Sequence, residues 1–145
     1  MNENTSSAGL MWPAWFPGSD NVDDPHCTVL YLGEKSSLPL GPGALLLVAN
    51  DYIDPPGDVA VIGLDIFGDN EVWVATLDPT SLSPLRAEIK EAVEQFGFMD
   101  ASSFPDYKPH VTLARYEGEE SRPTAPTSVY LGDLEIWWGD DRISW

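Results

Sequence analysis

Apolar and polar positions along the chain fall into short alternating runs, punctuated by clusters of Gly, Pro, Asp and Ser, with one long stretch of helical period. Residues Leu10 to Phe16 read as an aromatic-rich strand in which Pro13 marks an edge or a bulge. His26 to Leu32 is a second strand, stopped by Gly33. Ala44 to Tyr52 is an apolar run. Pro42 before it and Asp54-Pro55-Pro56-Gly57 after it favour a short helix. Val59 to Phe67 and Val72 to Leu77 alternate well and are joined by Gly68-Asp69-Asn70-Glu71, a hairpin signal. Ser81 to Phe98 carries Leu85, Ile89, Ala92, Val93 and Phe96 at helical spacing, with Gly97 near its stop. Pro109 to Tyr116 is a further strand, Val129 to Trp138 a long one, and Arg142 to Trp145 a last one after the Gly139-Asp140-Asp141 turn. The segments 17–24, 35–43, 100–107 and 117–126 read as loops, and residues 1–8 as a flexible tail.

This order predicts an α+β domain of antiparallel strands and two helices, spanning residues 9–145 as a single unit. Strand, strand, helix occurs twice before the last strands, and each half of the chain carries one Pro-His-x-Thr, which suggests a rough internal duplication about a pseudo-twofold axis.

Composition narrows the function. The chain has 145 residues, 43% of them hydrophobic and six of them Trp, enough for one domain with a real core. No apolar run is long enough to span a bilayer, and the polar start has no basic segment of the kind that opens a signal peptide. A single Cys27 leaves no internal disulfide to make, so a cytoplasmic setting is the expectation. Two His and one Cys argue against a structural zinc site, and no metal or other cofactor is expected. The net charge of −17 opposes long nucleic acid, whose affinity depends on phosphate neutralisation by Lys and Arg. A small anionic ligand in a locally positive pocket is compatible with it. A monomer is expected.

The candidate chemistry lies in the two histidines. Both read Pro-His-x-Thr followed by apolar residues: Pro25-His26-Cys27-Thr28-Val29-Leu30 and Pro109-His110-Val111-Thr112-Leu113. Alternation along a strand puts His26 and Thr28 on one face, and His110 and Thr112 on one face. Two such faces brought together would set an imidazole on either side of one phosphorus. One imidazole, neutral, would take a proton from a 2′-hydroxyl or a water. The other, protonated, would give one to the leaving oxygen. The threonine hydroxyls, with Lys108 or a backbone N–H, would donate to the non-bridging oxygens.

At these residues the chain resembles the 2H phosphoesterase (LigT-like) superfamily, which includes the 2′,5′-RNA ligase/cyclic phosphodiesterase group and viral nucleotide phosphodiesterases. The phrases carrying the likeness are His26-Cys27-Thr28-Val29-Leu30-Tyr31-Leu32-Gly33 and Pro109-His110-Val111-Thr112-Leu113-Ala114-Arg115. The resemblance implies a bilobal fold of two antiparallel sheets with a helix on each lobe and a cleft between them. It also implies metal-independent cleavage of phosphodiesters with a 2′ or cyclic linkage, His26 and His110 serving as acid and base and Thr28 and Thr112 as phosphate ligands. The acidity and short length depart from the larger members and disfavour RNA ligation or tRNA processing. The compact viral members suggest a phage or viral origin, with a small nucleotide immune signal as substrate, such as a cyclic oligonucleotide or a 2′,5′-linked oligoadenylate. A 2′,3′-cyclic or ADP-ribose cyclic phosphodiesterase is the enzyme alternative, and a non-catalytic nucleotide-sequestering protein the alternative of another class.

Base stacking needs an exposed aromatic at the cleft. Trp12, Tyr107 and Tyr116 are the candidates beside the motifs, with packing as the competing reading. Trp73, Trp137 and Trp138 read as structural. Cys27 has the opposite parity to His26 and should point inward as an inert apolar residue.

Overall fold

A computed structural model describes residues 7–22, 24–52, 54–68, 71–100, 107–139 and 141–143. The regular elements run β1 (Ser7–Trp15), β2 (His26–Glu34), α1 (Pro42–Asn50), β3 (Gly57–Phe67), β4 (Val72–Leu77), α2 (Pro79–Glu94), β5 (His110–Arg115), β6 (Ser128–Leu131), β7 (Glu135–Trp138) and β8 (Asp141–Ile143). The expected order of strands and helices is therefore observed. β1 begins at Ser7, so Ser7 and Ala8 belong to a strand and not to the tail, while residues 1–6 lie outside the described residues. Parts of other expected segments also lie outside them: 101–106 of the 100–107 loop, Asp69 and Asn70 of the hairpin turn, Asp140 of the 139–141 turn, and residues 144–145 of the last strand.

Each helix follows from its ends and its apolar spacing. In α1, Pro42 occupies the first turn, where its missing N–H costs nothing, and Leu45, Val48 and Ala49 form the buried stripe. In α2, Asp78 caps the start by accepting from the Thr80 N–H at 3.0 Å, and Leu82, Ile89 and Val93 face the core. This helix stops earlier than its apolar stripe suggests. Gly97 adopts φ +91°, and the Phe98 N–H turns back to the Val93 carbonyl at 3.2 Å. The turn buries Phe98 and leaves Phe96 exposed, the reverse of the helical expectation.

The strands form one eight-stranded antiparallel sheet in the order β2-β5-β4-β3-β6-β1-β7-β8, and β2 also pairs with β1. The two expected sheets are thus continuous. One run, β2-β1-β7-β8, meets the other, β5-β4-β3, at two places. β6 joins them at one side by pairing with β3 over Gly57–Ala60 and with β1 at Ala14 and Trp15. At the other side β2 meets β5 through the single pair Cys27↔Val111. α1 packs on β7, α2 packs on β2, and the helices touch each other.

Two strand expectations are corrected. The single long strand over 129–138 is two strands, broken at Gly132-Asp133-Leu134. The Gly132 N–H donates to the Pro13 carbonyl at 2.8 Å, and this is where β1 exchanges one neighbour for another. β7 pairs with β1 up to Met11, and β6 takes over from Ala14. Pro13 therefore sits in the gap between successive partners of a central strand, not on an edge, and its missing N–H leaves no ladder bond broken there. The loop over 117–126 contains a short helical turn at Glu119–Ser121, pinned where the Trp73 indole N–H donates to Ser121 Oγ at 2.9 Å.

Candidate active site

The Cys27↔Val111 pair fixes the geometry of the site. Both residues are fully buried, so their neighbours along each strand point to the opposite face. Continuing the antiparallel register about that pair sets His26 across from Thr112 and Thr28 across from His110. The four motif residues form one rectangular array of alternating imidazole and hydroxyl, and all four are partly buried. The next strand adds Thr76, opposite His110 on the same face.

The two motifs are held alike. Each proline carbonyl accepts a backbone N–H from the neighbouring strand at 2.9 Å, Pro25 from Ala14 and Pro109 from Leu77. Each imidazole reaches back to the carbonyl two residues before it, His26 Nδ1 to Asp24 at 2.7 Å and His110 Nδ1 to Lys108 at 2.8 Å. A carbonyl can only accept, so Nδ1 carries the proton in both rings. Nε2 is then the atom that exchanges a proton with a ligand. Asp24 therefore orients His26 through its main chain and not through its carboxylate.

Burial lowers the pKa of both imidazoles by disfavouring their charged form. For each, the carbonyl bond to Nδ1 works in the opposite direction. His26 is lowered further by its proximity to His110 and Arg142, against a raising effect from Asp24. The Cys27 thiol, desolvated by complete burial, is pushed up to about 11, so it is no nucleophile near neutral pH. Among the described residues no group of three or more His, Cys, Asp or Glu is arranged to hold a metal ion. No helix among them is long and apolar enough to cross a membrane.

The aromatic candidates are placed differently from expectation. Trp12 is 0% exposed and cannot offer a face to a base; it is a core residue on the side of the sheet that carries Cys27. Tyr107 lies under β2. Its hydroxyl donates to the Thr28 carbonyl at 2.8 Å, it lies 3.7 Å from Cys27 Sγ, and its ring carries the Arg86 guanidinium at 4.9 Å. It braces the first motif from behind instead of lining the cleft. Tyr116 packs against Trp73 at 5.3 Å between centroids. Its expected parity with His110 fails because Trp73 pairs with Ala114 while Val74 pairs with Thr112, so Leu113 is an extra residue that resets the alternation. Lys108 keeps an exposed side chain while its carbonyl holds His110.

Two other aromatic rings stand at the histidines. The Trp137 centroid is 4.3 Å from that of His26, tilted by 57°, and the Phe67 centroid is 4.5 Å from that of His110 at 63°. Trp137, which reads as structural in the sequence, is therefore a site residue, and Phe67 joins it without having stood out there. A signal for both exists in the sequence: Asp65-Ile66-Phe67 and Glu135-Ile136-Trp137 share an acidic-Ile-aromatic pattern. Each triplet lies on the third strand of its run, two strands from the motif histidine. Trp137 is further fixed by donating its indole N–H to Glu135 Oε1 at 2.7 Å, and the Arg142 guanidinium lies 3.9 Å above its ring.

Comparison with known proteins identifies relatives of this chain. An RNA 2′,3′-cyclic phosphodiesterase of Geobacillus stearothermophilus is 28% identical over 91% of the chain and 44% of its own length, so the chain spans less than half of that relative. The apo crystal structure of LigT from E. coli superposes with a TM-score of 0.59 at 17% identity, covering 90% of this chain and 86% of that one. The PDE domain of MHV ns2 superposes with a TM-score of 0.57 at 13% identity, covering 96% and 99%. TT0787 of Thermus thermophilus does so with a TM-score of 0.53 at 17% identity, covering 90% and 86%. These structures share the fold. The family model of the 2′-5′ RNA ligase superfamily matches residues 7–140, and the chain therefore belongs to that superfamily, the 2H phosphoesterases.

Proposed function

We propose that the protein is a metal-independent phosphodiesterase acting on a small nucleotide, with His26 and His110 exchanging protons and Thr28 and Thr112 holding the phosphate. One observation carries this reading: two imidazoles with the same Nδ1–H anchor, set diagonally to each other across the Cys27–Val111 pair, each facing a threonine of the other motif. In hydrolysis of a 2′,3′-cyclic phosphate, the neutral imidazole removes a proton from water as the new O–P bond forms. The protonated one delivers a proton to the ribose oxygen as its P–O bond breaks. Lys108 and the threonine hydroxyls stabilise the charge on the non-bridging oxygens. In this reading the two halves are related by a pseudo-twofold axis through the Cys27–Val111 pair, each half contributing one acid/base group to a bilobal arrangement.

The substrate proposed is a small nucleotide signal, a cyclic oligonucleotide or a 2′,5′-linked oligoadenylate, cleaved in the cytoplasm of a host cell by a monomeric protein of phage or viral origin to defeat its defence. Net charge −17 supports a small substrate over long nucleic acid. A 2′,3′-cyclic phosphodiesterase acting on RNA ends is the second reading, favoured by the Geobacillus relative. A screen in EDTA with wild type and the His26→Ala, His110→Ala double variant separates them. The panel is 2′,3′-cyclic AMP, 2′,5′-oligoadenylate, cyclic di- and trinucleotides and cyclic ADP-ribose isomers. Histidine-dependent cleavage that persists without metal is expected. Activity lost in EDTA and restored by Mg²⁺ or Zn²⁺ would replace this mechanism with a metal-assisted one. Binding without cleavage would make the protein a nucleotide-sequestering one.

The rate should also report the imidazoles. Acid/base exchange needs the pair singly protonated. With both pKa values lowered, that form is scarce at neutral pH and grows as pH falls. A plot of kcat/KM against pH is expected to rise from pH 7.5 to below about 6.5 and to fall again when both rings are charged, with limbs that belong to the pair. A profile that climbs steadily from pH 6 to 8 would contradict this assignment.

A further inference from the structure

We infer that Arg142, which lies over the Trp137 ring beside His26, is the binding side chain for a second phosphate of the substrate, one not being cleaved. The inference rests on the phosphodiesterase reading and specifies the substrate class: a nucleotide carrying a phosphate beyond the scissile one.

In a chain of net charge −17, an anionic ligand needs one of only seven cations. Arg86 is committed to Asp100, to the Val29 carbonyl and to the Tyr107 ring. Arg122 lies over Trp73. Arg115 ends β5 opposite Val72, at the far end of that strand from His110. Lys35 follows the far end of β2, and Lys90 sits on α2. Lys108 and Arg142 remain at the histidines. Arg142 is the one whose position is built. Its Nη1 donates to the Gly139 carbonyl at 2.9 Å, its Cζ lies 3.9 Å from the Trp137 ring centroid, and its Nη2 faces Asp24 at 3.6 Å.

That last pair is long, and the Asp24 side chain is 67% exposed, so it holds Arg142 weakly and a phosphate can displace it. A guanidinium suits such an exchange because its planar fork matches phosphate oxygens while its face stays stacked on the indole. Trp137 stands on β7, between β8, which carries Arg142, and the β1–β2 pair, which carries His26, so an anion on Arg142 is a different group from the phosphate between the histidines. The equivalent ring on the other side, Phe67, has no cation stacked on it among the contacts of the described residues. The substrate is thereby oriented, its extra charge on the His26 side.

The test uses two probe pairs, adenosine 2′,3′-cyclic phosphate and 2′,5′-linked diadenylate, each with and without a 5′-phosphate. For wild type and Arg142→Gln, kcat/KM is measured by chromatography and Kd by calorimetry. Wild type should favour the 5′-phosphorylated member of a pair by roughly ten- to a hundredfold, the size of one charge-assisted hydrogen bond. In Arg142→Gln the ratio should fall to about one. The ratio is internal to each protein sample, so a change in folded fraction does not imitate it. Arg142→Lys should keep part of the preference, and added salt should weaken it. No preference in wild type, a preference kept by Arg142→Gln, or no binding of any probe would each overturn the inference. An Arg142-dependent preference in Kd with no cleavage of any probe would remove the phosphodiesterase reading and leave the second-phosphate site standing. Cleavage without preference would do the opposite.

Discussion

His26→Ala and His110→Ala should each lower turnover of the cleaved nucleotide by about a hundred- to ten-thousandfold, the usual contribution of one positioned proton transfer. The two losses should not multiply in the double variant, because acid and base act in one event and removing either leaves the other idle. Binding should survive better than turnover, since the threonine hydroxyls and Lys108 remain. The fold should survive as well. Each imidazole is only partly buried, and its structural contacts are one carbonyl bond and one aromatic neighbour. Single-turnover rates, ligand titration and circular dichroism on the same samples check all three statements. Full turnover in either variant would take that histidine out of the mechanism, and an unfolded variant would show that the seam between β2 and β5 needs the ring itself.

Trp12→Ala should act on stability instead. Trp12 is 0% exposed and packs in the main apolar cluster with Leu10, Val29 and Leu30. Truncating a buried Trp leaves a large cavity and costs about 3–5 kcal/mol. That is a large share of the ~5–15 kcal/mol that holds a domain folded. The melting temperature should drop by about 10 °C or more. Thermal and urea unfolding measure this directly. Unchanged melting with weakened nucleotide binding would instead return Trp12 to the cleft as a stacking surface.

The motif strands and the element order could be read from the chain, because Pro-His-x-Thr-apolar combines a turn signal, a β-branched run and a period of two. The pairing of the two histidine strands follows from no local pattern and rests on the Cys27↔Val111 contact. Three features escape such a reading for local reasons. The alternation after Thr112 is reset by Leu113, a bulge that has no partner between Trp73 and Val74 of the neighbouring strand. The apolar run over 129–138 reads as one strand when its length and apolar content outweigh the Gly132-Asp133 turn signal within it. Its break depends on the Pro13 carbonyl, supplied from more than a hundred residues away. Trp137 and Phe67 do not stand out because aromatic residues usually pack cores. Only the repeat of an acidic residue and Ile before both rings distinguishes them, and its meaning depends on each triplet lying two strands from a histidine. Tyr107 shows the reverse case, a residue near a motif in sequence whose hydroxyl is spent on the motif's back.

Because both imidazoles take their orientation from main-chain carbonyls, the side chains at positions 24 and 108 carry no duty toward the tautomer. The chain uses that freedom asymmetrically, placing an aspartate in one half and a lysine at the corresponding position of the other. Ring geometry and the electric field across the cleft are therefore separate degrees of freedom. The field can be retuned for a differently charged ligand most freely at position 108, because Asp24 holds a left-handed backbone, φ +46°, that favours Asp, Asn or Gly there.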